Sequence, residues 1–237
     1  MNENVTGIST FGLMWLGREA TFSGGHPYLF VSKRGEEPFI YCMQDLHELN
    51  DFCVTLFEAS RQRAKQAKSF NQATEGLDFD SEEFNEFVDV YTYGYDESTL
   101  GRVYAPASAL VMLYANLIRS LKRIAKYYGR EIYEDWDRNR ERSGAEMRQL
   151  RKLLETIANQ NLTVFDQDKV KKLLDREIRN LRNSFMHGDW EAVERQIIGI
   201  NIRAGFGIAS KILDALEAVF TEDNFPDANS KRIINIA

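Results

Sequence analysis

The stretch Pro106-Ala-Ser-Ala-Leu-Val-Met-Leu-Tyr-Ala-Asn-Leu-Ile-Arg-Ser-Leu-Lys-Arg-Ile-Ala-Lys-Tyr-Tyr-Gly129 decides the fold class. Leu110, Leu113, Leu117, Leu121 and Ile124 recur at intervals of three and four, which places them on one face of a helix that ends near Gly129. The strongly apolar run inside it, Ala109 to Ile118, is shorter than the about 20 residues that a membrane span needs. Residues 8–17 are also apolar, but Glu3 precedes them and no basic region does, so neither a signal peptide nor a membrane segment is predicted.

The same period continues downstream. Ser143 with Glu146 three residues later reads as a capping box opening a helix whose apolar face is Met147, Leu150, Leu154 and Ile157. Asp166 is placed to cap a further helix carrying Val170, Leu174, Ile178, Leu181 and Phe185 inward, and Asp189 to cap the next. Ile208, Ile212, Leu216 and Phe220 form a last stripe. Gly199, Gly205 and Gly207 suggest a break or a close helix contact near it. Upstream, Met43, Leu46, Leu49, Cys53 and Leu56 predict one helix. Tyr28–Val31 and Phe39–Tyr41, around Ser-Lys-Arg-Gly-Glu-Glu-Pro, predict a small β-hairpin. Residues 69–101 hold no Lys or Arg and interleave acidic residues with aromatics, as an acidic insertion does. The expected fold is therefore mostly α: a helical bundle over 101–237, with an N-terminal extension over 1–100, containing the hairpin, one helix and the acidic insertion, packed on it.

The 237 residues are 43% apolar and 28% charged, so the core needs no metal or disulfide to hold it. The net charge of −6 and pI near 5.3 argue against duplex DNA binding over a broad basic face, though not against a local basic site for RNA. Arg119, Lys122, Arg123, Lys126, Arg130, Arg138, Arg140, Arg142, Arg148, Arg151 and Lys152 cluster in sequence, but interspersed acids make a solvated, ion-paired face the first reading and an RNA-facing strip the second. Cys42 and Cys53 form no CxxC pair and read as buried free thiols in a reducing cytoplasm.

Much chemistry is absent from the sequence. There is no phosphate-binding GxxxxGK[ST] loop, no GxGxxG after a strand and no HExxH. The residues three before His26, His47 and His187 are Ser23, Gln44 and Ser184, so no Glu-x-x-His pair exists. His47 lies among Cys42 and Cys53 without the spacing of a metal site and reads as core. No cofactor and no metal ligand set is expected.

One polar segment stands out at the end of a predicted helix: Arg179-Asn-Leu-Arg182-Asn183-Ser-Phe-Met-His187-Gly188-Asp189-Trp190. Imidazole titrates near neutrality and serves as a general acid or base. Guanidinium offers a fixed fork of donors to phosphate oxygens. Asn183 and His187 are four apart, one above the other on a helix, so Asn183 is placed to orient the imidazole. Arg182 lies five before His187, roughly 140° around a regular helix. Such groups suit metal-free RNA cleavage by the ribose 2′-hydroxyl.

Arg182-Asn183-x-x-x-His187-Gly188, late in a helical bundle, resembles the HEPN superfamily (higher eukaryotes and prokaryotes nucleotide-binding domains), whose motif is an Arg, often followed by Asn or Asp, then His after four to six residues. In a chain of this composition, Arg-Asn followed by His at an allowed gap arises about 0.05 times by chance. The resemblance covers residues 105–220. It implies an endoribonuclease of a toxin–antitoxin, abortive-infection or antiviral defence system, with His187 as acid/base, Arg182 stabilising the phosphate and Asn183 beside them. It also implies a homodimer whose motif helices meet, an RNA substrate, and room for an antitoxin or defence-system partner. One branch of the superfamily carries Tyr two residues after the His, where a nucleotidyltransferase modifies it; Asp189 stands there here, which counts against that mode of silencing. Other members bind a nucleotide or a partner without catalysis, and that reading stays open.

Overall fold

The computed structural model describes residues 29–76, 81–82, 103–139 and 146–225. The protein is mostly helical, with α1 at Glu37–Ala73, α2 at Ala105–Tyr128, α3 at Arg130–Asn139, α4 at Glu146–Ala158, α5 over 168–186, α6 at Trp190–Ile197 and α7 at Ile202–Val219. No strand occurs among the described residues, and no helix there is long and apolar enough to cross a membrane.

Helix α2 is the centre. The expected stripe from Leu110 to Ile124 is fully buried, and Ala107, Tyr114, Ile118 and Ala125 bury the flanks as well. All six other helices among the described residues pack against it. An amphipathic helix covers one side only, whereas one surrounded in this way must be apolar around most of its circumference. Each leucine so enclosed stabilises the fold by roughly 1.5–3 kcal/mol relative to exposure. The α4 stripe also buries, as does that of α7 except for Ile208 at its edge, and the residues of α1 join the same core as those of α2, α4, α5 and α7. On α1 the buried line is Phe39, Cys42, Leu46, Cys53 and Phe57, with Asn50 among them. Met43, Leu49 and Leu56 of the expected stripe lie at its edge. Cys42 and Cys53 are both free and buried, and burial pushes the Cys53 thiol up to about 12.

Two expectations meet a different structure. Tyr28 lies outside the described residues, but the second arm of the hairpin, Phe39–Tyr41, is in the first turns of α1. Pro38 sits in that first turn, where its missing N–H costs nothing. The segment before it is an extended strap whose backbone groups are satisfied by side chains instead of a partner strand. The Phe30 N–H donates to Ser210 Oγ at 2.9 Å, and the Phe30 carbonyl lies 3.0 Å from His47 Nε2. The buried Glu217 carboxylate accepts from Ser32 Oγ at 2.6 Å and from the Lys33 N–H at 3.0 Å. Glu36 then accepts from the Tyr128 hydroxyl and from the Glu222 N–H. His47 is thus a structural bridge.

The second difference is at Asp166. It belongs to the short turn Thr163–Asp166 and its carboxylate faces Arg151 and Lys171, at 2.9 and 3.0 Å, instead of capping α5. Helix α5 starts regularly at Asp168–Lys171, widens into π turns over Lys172–Ile178 and returns to α over Arg179–Met186. Val170, Leu174, Ile178 and Leu181 are buried as expected despite the widening. Ser143 lies outside the described residues.

Gly205 and Gly129 mark close approaches. A Cβ at Gly205 would stand 3.1 Å from Leu113 of α2, the tight contact that the glycine-rich start of α7 suggested. At Gly129, between α2 and α3, a Cβ would stand 2.6 Å from Ile157. Gly129→Ala is expected to lower stability by about 1–3 kcal/mol through overpacking, read as a lower urea midpoint at unchanged slope. An unchanged midpoint would mean that Ile157 moves aside without cost.

Candidate functional site

The end of α5 is built by a left-handed glycine. Gly188 has φ +71°, a conformation that costs other L-residues about 1–2 kcal/mol. With it, the Gly188 N–H donates to the Phe185 carbonyl at 3.2 Å and the Asp189 N–H to the Ser184 carbonyl at 2.9 Å. That pair of bonds is a Schellman closure, and it makes His187 the last residue before the turn. The chain then reverses into α6, which Asp189 caps by accepting from the Ala192 N–H at 3.1 Å, as its sequence position predicts. Gln196 of α6 donates to Ser184 Oγ at 3.1 Å and ties the two helices together. The motif therefore sits at a sharply defined corner.

His187 is exposed at this corner, and its backbone N–H donates to the Asn183 carbonyl at 3.1 Å. Asn183 meets His187 through that backbone bond; its own side chain is exposed. Arg182 is half-buried one turn earlier. Over the regular Arg179–Met186 stretch its direction differs from that of position 187 by roughly 140°, so the π turns upstream do nothing to align them.

One residue within electrostatic reach of Arg182 was not singled out by the sequence. Tyr114 of α2 is only 6% exposed, and its phenol lies within electrostatic reach of Arg182, Asp175, Glu146 and Arg179. Burial pushes its pKa up while Arg182 opposes the rise, so the phenol remains a protonated donor at neutral pH. A tyrosine one step off the Leu113–Leu117 stripe was the available sign of it. Glu177 is engaged by Lys172 at 3.4 Å and Asp189 by its cap, which leaves Arg182 without an ion pair among the described residues.

Large apolar groups flank the corner and the far end of α6. Trp190 stands edge-on to Tyr104 at 4.9 Å and to Phe185 at 5.4 Å, yet is 44% exposed. Met186 is 67% and Ile198 78% exposed. Elsewhere the basic cluster is largely neutralised: Arg119 and Arg123 meet Asp45, Lys122 meets Glu146, Arg130 meets Glu134, and Arg138 meets Asp135. Among the described residues, no group of three or more His, Cys, Asp or Glu side chains is arranged to hold a metal ion.

No family model matches the chain, and neither the curated proteins nor the solved structures contain a match to it.

Because the corner rests on one positive φ, Gly188→Ala is expected to cost about 1–2 kcal/mol of stability, with Gly188→Asn costing less because asparagine tolerates the left-handed region. Thermal melts of the three proteins check the order. Equal stability of the alanine variant would mean that the helix ends differently in solution.

Proposed function

We propose that the protein is a metal-independent endoribonuclease of the HEPN type, acting in a toxin or anti-phage defence system on an RNA substrate, with Arg182 and His187 as its catalytic residues. The observation that carries this reading is the pair of unengaged groups at one helix corner. A half-buried guanidinium has no carboxylate partner among the described residues, and an exposed imidazole follows it just before the Schellman turn. A half-buried charge without a partner is costly to keep, and a phosphate arriving from solvent relieves that cost. In the reaction, the 2′-oxygen bonds to phosphorus as the bond to the 5′-oxygen breaks. The imidazole takes the 2′-hydroxyl proton as base and, as the imidazolium so formed, gives a proton to the leaving 5′-oxygen. The products are a 2′,3′-cyclic phosphate and a 5′-hydroxyl. Arg182 stabilises charge on the phosphoryl oxygens.

The roughly 140° between Arg182 and His187 favours a homodimer. A two-fold axis at the corner sets the Arg182 of one copy beside the His187 of the other. Met186, Trp190 and Ile198 supply exposed apolar surface for such a contact. Asn183 is on this polar face and contacts substrate or the second copy. An antitoxin or defence-system protein covering the same corner would silence it.

The same divergence favours a second reading, a non-catalytic module that binds a nucleotide or partner at this corner. Cleavage separates the two. Arg182→Ala and His187→Ala are each expected to lower RNA cleavage by about 10²-fold or more with unchanged melting. Wild-type cleavage is expected to persist in excess EDTA and to leave 5′-hydroxyl ends. RNA bound but left intact by the wild type selects the second reading. For the assembly, light scattering is expected to give twice the 27.4 kDa chain mass under assay conditions. A monomer cleaving at full rate would refute the composite site.

A further inference from the structure

A groove of about 230 Å³ runs between α4 and the first turns of α5, away from the corner just described. Its floor is apolar, from Met147, Phe165, Val170 and Leu174, and its rim is charged. Two rim cations are already engaged: Arg151 with Glu155 and Asp166, and Lys171 with Asp166. The other two, Arg148 and Lys152, lie one turn apart on the exposed side of α4 and have no ion pair among the described residues. Their state contrasts with the rest of the basic cluster, most of which is paired within the protein. Glu155, held by Arg151, and Asp175 are the acidic residues that line the groove.

The groove is not isolated from the corner. Asp175, which lines it, and Arg179 and Arg182 at the corner all lie within electrostatic reach of the same phenol, that of Tyr114. From Lys171 to Arg182 the helix spans roughly 16 Å at the regular rise. Free cations above an apolar floor, continued by further free arginines along one helix, match a flexible polyanion that carries planar apolar groups. Single-stranded nucleic acid is such a ligand. A duplex demands a broad basic face that a chain of net charge −6 does not offer.

Resting on the ribonuclease reading above, we propose that this groove holds the single-stranded RNA that flanks the scissile phosphate, with Arg148 and Lys152 on backbone phosphates and a base against the apolar floor. The groove then sets how long a substrate must be and supplies affinity that the small corner lacks.

The test compares wild type with Arg148→Glu/Lys152→Glu on two substrates, a dinucleotide that reaches only the corner and an oligonucleotide of about 12 residues. Both positions are exposed on α4, and the milder Arg148→Ala/Lys152→Ala protein guards against misfolding. On the long substrate the charge reversal is expected to raise KM at least about tenfold at similar kcat. It is also expected to make the salt dependence shallower by about 1.4 in log–log slope, about 0.7 for each phosphate that is no longer neutralised. Dinucleotide cleavage is expected to stay the same. Unchanged KM and salt slope on the long substrate, with cleavage intact, would overturn the groove and leave the corner standing; an acidic protein would then be the better occupant. Equal losses on both substrates would also overturn it. A wild type that binds the long RNA through these two residues but cleaves nothing would support the groove and overturn the ribonuclease reading. A wild type that neither binds nor cleaves would overturn both.

Discussion

Burial of α2 on nearly all sides is the constraint on which the rest of the structure depends. Fourteen of its 24 residues are buried, and the remaining helices are positioned by the faces they cover. Where helices come closest the side chains shrink: Gly205 of α7 lets its backbone approach Leu110 and Leu113 so closely that a methyl there would crowd both. Such interdigitation at crystal-like density fixes neighbours to tenths of an ångström. That precision reaches the candidate site through Tyr114, whose ring is part of the α2 core and whose phenol is within electrostatic reach of Arg182.

What was legible in the sequence was the part written in periodicity. The stripes of α2 and α4 bury as their spacing predicts, and those of α5 and α7 do so except at Phe185 and Ile208, which are partly buried, because a helix must turn its apolar face inward wherever it packs. What was not legible depended on distant partners. The strap over residues 29–36 has the β-branched and aromatic look of a strand, but its polar backbone is claimed by Ser210, Glu217 and His47, which are far away in sequence or on another element. Nothing local announces that a buried glutamate will collect those N–H groups. Asp166 fails as a cap for a related reason: Arg151 and Lys171 draw the carboxylate away, and their hydrogen bonds, Lys171's foremost, hold its pKa below the usual carboxylate range. On α1 the inward line is set by what α2 presents, so it includes Phe39, Cys42 and Asn50, while Met43 and Leu49 fall to its edge.

The site was legible in a different way. Composition and spacing singled out Arg182, Asn183 and His187, and Gly188 marked where the helix must stop, since a positive φ there demands glycine. The same letters hide the surroundings. Tyr114 lies 68 positions before Arg182, and Tyr104, which supports Trp190, lies still earlier. A sequence motif names the groups that do chemistry; it is silent on the groups that hold them, because those come from other helices packed by the core.

The distribution of charge links these observations. An acidic chain repels RNA at long range, so any RNA site must be local and short-ranged, within about a Debye length of 10 Å at ordinary salt. Most of the arginines and lysines that look like an RNA strip in sequence are paired with carboxylates in the fold, Arg119 and Arg123 with Asp45 among them. Among the described residues, Arg148 and Lys152 on α4 and Arg179 and Arg182 on α5 remain without an ion pair, as do Lys126 on α2 and Arg203 and Lys211 on α7. Ion pairing in the folded state thus neutralises most of the cluster that looks like an RNA strip in sequence, and the proposed ribonuclease reading rests on the cations left unpaired along α4 and α5 and on the exposed imidazole of His187.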